Sequence, residues 1–230
     1  LLELCLLFLA TTFQGDRLTG WVQQTIPRPD LPVMDLQFLD SLNGFAILLH
    51  ETPDTAFVIK TIDGGLNWSI TKFENTYVTA ISFTDINTGY ISARQSPNGV
   101  ILKTTNSGVN WFTVSILPNA SILRDIFFVN KDTGWVCSRD LTAGGLWRTT
   151  DGGISWQQQL NESVRPSKIF FINSNTGWVI GNAGQNLYKT TNSGQNWFVQ
   201  SSTSSENYYD VFFATYDTGW IVKSIGSGSY

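Results

Sequence analysis

The chain has 230 residues and a formal net charge of −4, with 14% charged and 13% aromatic side chains, including nine Trp. That length allows one large domain or two small ones with a real core, and the apolar content excludes global disorder. The acidic balance disfavours a nucleic-acid partner held by a basic surface. One His and two Cys, Cys5 and Cys137, leave little for His-based catalysis, a disulfide framework or a metal centre, and no cofactor or metal is expected.

In chain order, Leu1 to Phe13 is almost entirely apolar and too short to span a bilayer. Residues 1–15 read as a signal-peptide remnant that has lost its basic start; a buried N-terminal segment is the alternative. The export reading places the protein in the periplasm, at the cell surface or outside a bacterium. The absence of an initiating Met suggests a fragment of a longer reading frame. No later stretch approaches the roughly 20 apolar residues of a spanning helix.

From residue 20 onward two short motifs alternate. The first, a Thr-x-(Asp/Asn)-x-Gly-x-x-Trp run, occurs at 61–68, 104–111, 149–156 and 190–197. The second is an apolar run, a polar turn and a Gly-aromatic step: Gly44-Phe45, Gly89-Tyr90, Gly134-Trp135, Gly177-Trp178 and Gly219-Trp220. Both recur every 41 to 45 residues in constant order, so the chain is a repeat protein. Each unit holds four short strand candidates bounded by Gly, Asp and Asn turns, and no helical apolar period follows the leader. Four antiparallel strands per unit predict propeller blades at 34–72, 77–115, 123–160 and 167–201, with a partial blade at 208–230 and the last strand of a preceding blade at 20–25. The fold class is all-β: a segment of a larger propeller spanning 20–230. A closed five-bladed ring, completed by the strand at 20–25, is the alternative.

The first motif has turn chemistry. Asp63, Asn106, Asp151 and Asn192 supply a short acceptor for amides of their own turn. Gly65, Gly108, Gly153 and Gly194 supply a positive φ, and Trp68, Trp111, Trp156 and Trp197 cover the turn. Two of the four acidic positions are neutral Asn, which argues against calcium or catalysis there. Phe45, Tyr90, Trp135, Trp178 and Trp220 are assigned to packing between blades rather than to an exposed sugar-binding ring.

The turn motif resembles the Asp-box, or bacterial neuraminidase repeat. Coupled to the Gly-aromatic step, it resembles the Asp-box propellers of the photosystem II stability and assembly factor family, over roughly residues 20–230. The resemblance implies a propeller, seven blades in a complete member, and binding of a protein partner. Sialidases share the Asp-box, and a glycoside hydrolase is the alternative function. Glu206 beside Tyr208 and Tyr209 is the nearest match to their Tyr-Glu pair, and Arg148 shares its place with Lys60, Lys103 and Lys189. Nothing in the sequence assembles two opposed carboxylates. The expected function is therefore a non-catalytic extracytoplasmic binding or scaffold module. Its partner is another protein or domain, or a glycan. Arg94 and Arg139, four residues after Tyr90 and Trp135, are the candidate docking residues.

Overall fold

The computed structural model describes residues 8–9, 22–50, 55–117, 120, 122–140, 144–181, 186–202 and 208–223. Its elements are strands, apart from a 3-10 turn at Glu162–Val164. A short pair, β1 (Phe8–Leu9) with β2 (Val22–Gln23), precedes the repeats. The first sheet comprises β3 (Val33–Phe38), β4 (Gly44–His50), β5 (Thr55–Thr61) and β6 (Ser69–Glu74). The second comprises β7 (Tyr77–Phe83), β8 (Gly89–Gln95), β9 (Asn98–Thr104) and β10 (Phe112–Leu117). The third holds β11 (Leu123–Phe128), β12 (Gly134–Ser138), β13 (Gly145–Thr149) and β14 (Gln157–Asn161). The fourth holds β15 (Pro166–Phe171), β16 (Gly177–Gly181), β17 (Asn186–Thr190) and β18 (Phe198–Ser202). The fifth is described as β19 (Tyr208–Phe213) and β20 (Gly219–Lys223). Every sheet is an antiparallel meander in chain order, as propeller blades are.

At the N-terminal end the outcome differs from expectation. Val22–Gln23 pair with Phe8–Leu9 instead of joining a repeat sheet, and Gln24 and Thr25 lie outside any strand. The polar groups of that short segment find their partners in the neighbouring Phe8–Leu9 backbone. The rest of the expected leader, the start of the 20–25 strand and the third strand expected near Tyr230 lie outside the described residues.

The Gly-aromatic step organises the packing. In each sheet a first-strand Phe sits opposite the Gly: Phe38 and Gly44, Phe83 and Gly89, Phe128 and Gly134, Phe171 and Gly177, Phe213 and Gly219. A methyl group on Gly134 would lie 2.5 Å from the Phe128 ring, so only glycine lets that ring lie flat. The other face of the ring receives the aromatic of the preceding sheet. Phe45 stacks on Phe83, Tyr90 on Phe128, Trp135 on Phe171 and Trp178 on Phe213, each with centroids 3.6 Å apart. A cation from the third strand lies over the same aromatics: Lys60 over Phe45, Lys103 over Tyr90, Arg148 over Trp135 and Lys189 over Trp178.

The first strands touch in series, β3 with β7, β7 with β11, β11 with β15 and β15 with β19. Side chains stitch these contacts. Gln37 Oε1 accepts from the Phe83 amide at 2.6 Å, and Ser82 Oγ accepts from the Phe128 amide at 2.9 Å. The outer strands meet differently. Bulges at residues 114 and 159 push Val114 and Gln159 beneath Gly153 and Gly194 of the following sheet. The ladder of β6 has no bulge, and a cavity of about 290 Å³ lies there, lined by Lys60, Thr71 and Gly108.

Candidate functional site

The Asp-box turns are closed hydrogen-bond systems. The Thr61 hydroxyl donates to Asp63 Oδ1 at 2.8 Å and accepts from the Gly65 amide at 2.8 Å. Asp63 in turn accepts from the backbone and side-chain N–H groups of Asn67. Thr149, Asp151, Gly153 and Ser155 make the same set. Asn106 and Asn192 take the corresponding amides of Asn110 and Asn196 through Oδ1. Gly65, Gly108, Gly153 and Gly194 have φ between 78° and 92°. The indole N–H of Trp68, Trp111 and Trp156 donates to the carbonyl of Gly65, Gly108 and Gly153 at 3.1 Å, and Trp197 packs edge-on against Phe171. Ser155 and Thr149 hold the Asp151 carboxyl down at about 2. Both carboxylates, Asp63 and Asp151, are thus engaged in holding their own turns. In the turns between first and second strands the backbone amides of Asp132 and Asp217 donate to Asn130 Oδ1 and Thr215 Oγ1, so there the accepting side chain lies two residues earlier.

The first strands of all five sheets contribute to one cavity of about 250 Å³. Nine residues before each Gly-aromatic step stand Asp35, Ala80, Asp125, Lys168 and Asp210, and all but Ala80 line this cavity. Asp35 Oδ1 accepts from the Leu36 amide, and its Oδ2 accepts from Ile81 of the next sheet at 2.9 Å. Asp125 repeats this with Ile126 and, at 2.8 Å, Ile169. Each carboxylate thus clamps its own first strand to the following one. Lys168 Nζ lies 3.6 Å from Asp125 Oδ1. Burial, aided by the charge of Asp35, pushes the Asp125 carboxyl up to about 6. The Lys168 ammonium is raised, first by Asp125 and then, against burial, by Asp35 and Asp210. A repeat search overlooks these residues because it weights identity, whereas this position alternates.

At the end of the sheets where the first strands begin, arginines gather. Arg139 follows β12, and its guanidinium is lowered by burial and then by the charges of Arg124 and Arg165. Arg124 is exposed beside Asp125, and Arg165 is exposed ahead of β15. Arg94, the second expected docking residue, lies over the ring of Tyr77 in its own sheet, 5.2 Å from the centroid. Arg124 and Arg165 were missed in the sequence because they occupy no shared repeat position. Arg124 reaches Arg139 across the β11–β12 pair of its own sheet, and Arg165 comes from the start of the next sheet.

Other expectations fare unevenly. Phe45, Tyr90, Trp135 and Trp178 are fully buried, but Trp220 is 60% exposed, since among the described residues no following sheet covers it. Tyr208 is buried while Tyr209 is exposed, as alternation along β19 requires, and Glu206 lies outside the described residues. Cys137 is a buried free thiol. Among the described residues no cluster of His, Cys, Asp and Glu could hold a metal, and no helix is long and apolar enough to cross a membrane.

Meandering four-stranded sheets whose third and fourth strands are joined by Asp-box turns define a class of repeat protein, and comparison with known proteins narrows it. The family model described as photosynthesis system II assembly factor YCF48 matches residues 113–198. The structure of YCF48 from Cyanidioschyzon merolae superposes with a TM-score of 0.51 at 15% identity, covering 90% of this chain and 97% of that one. A structure of YCF48 bound to D1 peptide gives 0.46 at 17% identity, covering 85% and 91%. The GH74 enzyme of Niastella koreensis gives 0.61 at 14% identity, covering 78% of this chain and 31% of that one. No curated protein sequence matches. The chain resembles the YCF48-type Asp-box propellers.

Proposed function

We propose that this chain is part of a larger, seven-bladed propeller acting outside the cytoplasm as a non-catalytic docking or scaffold module for another protein. The observation that carries the reading is the place of Arg139, its amide on the Ile122 carbonyl at 3.1 Å beside the start of β11 and Arg124, where the charges of Arg124 and Arg165 act on it, in a chain whose net charge is −4. A guanidinium lowered by burial and by two neighbouring cations gains from an anion placed beside it, and an acidic peptide segment supplies one with planar, bidentate acceptors. Arg94 extends the same end of the sheets toward the second sheet. The carboxylates facing the central cavity do not form an acid–base pair in this reading. Asp35 and Asp125 are occupied by backbone amides from two strands each.

Fluorescence anisotropy with a labelled Asp- and Glu-rich peptide tests this. Binding should weaken about tenfold in an Arg124→Ala plus Arg139→Ala variant and should fade as salt rises. Arg94→Ala should weaken it less, its guanidinium lying against Tyr77. Equal binding by wild type and the double variant would remove the site. Turnover of a glucan or sialoside by the purified protein would replace this reading with the glycosidase alternative.

A further inference from the structure

The outer face of the fifth sheet presents the same surface that every other sheet buries. Trp220 is 60% exposed, with Phe212 at 54% and Val222 at 58%, whereas its counterparts Phe45, Tyr90, Trp135 and Trp178 are 0% exposed. The four existing joints show what such a face accepts: a first strand whose Phe, six residues before its own Gly, stacks flat on the aromatic.

The carboxylate clamp narrows the occupant further. Amides eight residues before the Gly belong to Leu36, Ile81, Ile126, Ile169 and Val211. Those of Leu36, Ile126 and Val211 bond the Asp just before them. Those of Ile81 and Ile169 follow Ala80 and Lys168, and bond the Asp of the preceding sheet. One carboxylate therefore serves two sheets, and the series runs Asp, Ala, Asp, Lys, Asp. Two successive Asp would compete for one amide and bring like charges together. Asp210 stands at the serving end of that alternation, and among the described residues no amide of a following sheet reaches its Oδ2.

We propose that the Trp220 face is the docking surface for a further sheet of the same repeat, one with Phe six residues and a non-acidic residue nine residues before its Gly-aromatic step. The sixth sheet then resembles the second and fourth, and its amide completes Asp210. The chain's own first sheet, or that of a second copy, is the wrong occupant because it brings Asp35 to the place opposite Asp210. This inference rests on the propeller reading above but not on its arginine site, so peptide binding and face coverage can fail separately.

Two extensions of the full chain test it. Appending a copy of residues 148–181 after Tyr230 supplies a turn, a fourth strand and a sheet start that carries the Lys168 and Phe171 equivalents. Appending a copy of residues 189–223 supplies the Asp210 and Phe213 equivalents instead. Hydroxyl-radical footprinting of Trp220 should show oxidation falling about tenfold with the first extension, as expected for a ring passing from exposed to covered. It should fall much less with the second, or when the appended copy of the first carries Lys168→Asp. Equal protection by all three extensions would overturn the alternation. Protection of the unextended chain through concentration-dependent dimers would overturn the assignment of occupant. If the extensions do not fold, Ala80→Asp in the unextended chain decides the rule: it should lower the urea midpoint clearly more than Ala80→Asn, and an equal effect would overturn it.

Discussion

The joint between the third and fourth sheets and the outer face of the fifth use the same residue types to opposite ends. At the joint, Trp135 is fully buried against Phe171, and Asp125 is buried between two amides and Lys168. On the outer face Trp220 is largely exposed, with Phe212 of its own sheet at 6.1 Å, and Asp210 is exposed. Residue type alone does not set the environment in a repeat protein; the neighbouring unit does, and each sheet is completed by the next one.

The largest expected difference follows from burial. Trp135→Ala should destabilise the protein by about 3–5 kcal/mol, as loss of a buried ring does, whereas Trp220→Ala should stay within about 0.5 kcal/mol. Urea unfolding followed by circular dichroism measures both, and similar midpoints for the two variants would dissolve the contrast.

A second, smaller difference lies in pH. The native Asp125 carboxyl titrates near 6, and an unfolded one near 3.9. Between those values the native chain keeps a proton that the unfolded chain has released. Stability therefore falls as pH rises from about 4 to about 6, by on the order of 2 kcal/mol. Asp125→Asn should flatten that limb, and Asp210→Asn should leave it in place. Midpoints measured at intervals across this range give the slope directly.

The smallest effect concerns the turns. Asp151 is held at about 2, below its unfolded value, so its contribution is present above about pH 4 and is lost as pH falls toward 2. The turn is exposed, and the loss should be no more than about 1 kcal/mol. Asp151→Asn, which gives this turn the acceptor that Asn106 and Asn192 already use, should remove that acid limb with little change at pH 7.

Four strands per unit were legible because their cause is local. Phe, six residues, Gly-aromatic marks a ring lying over a glycine, and the Thr-Asp-Gly-Trp turn closes on itself within eight residues. What stayed hidden depends on neighbours. Asp35, Asp125, Lys168 and Asp210 share one position but differ in charge, so they look like noise until the first strands are placed side by side. Arg165 shares no repeat position with Arg139 and meets it only through the packing of the fourth sheet against the third. The exposure of Trp220 could not be read from a motif whose other copies are all buried.

The clamp also has a parity. A carboxylate that serves its own sheet and the next makes pairs, and pairs close without remainder only on an even number of sheets. A ring of five or seven built on this rule must contain one joint where two carboxylates meet or where none is supplied. At that joint two carboxylates would face each other, or a first-strand amide would go without the acceptor that Ile81 and Ile169 find in the preceding sheet.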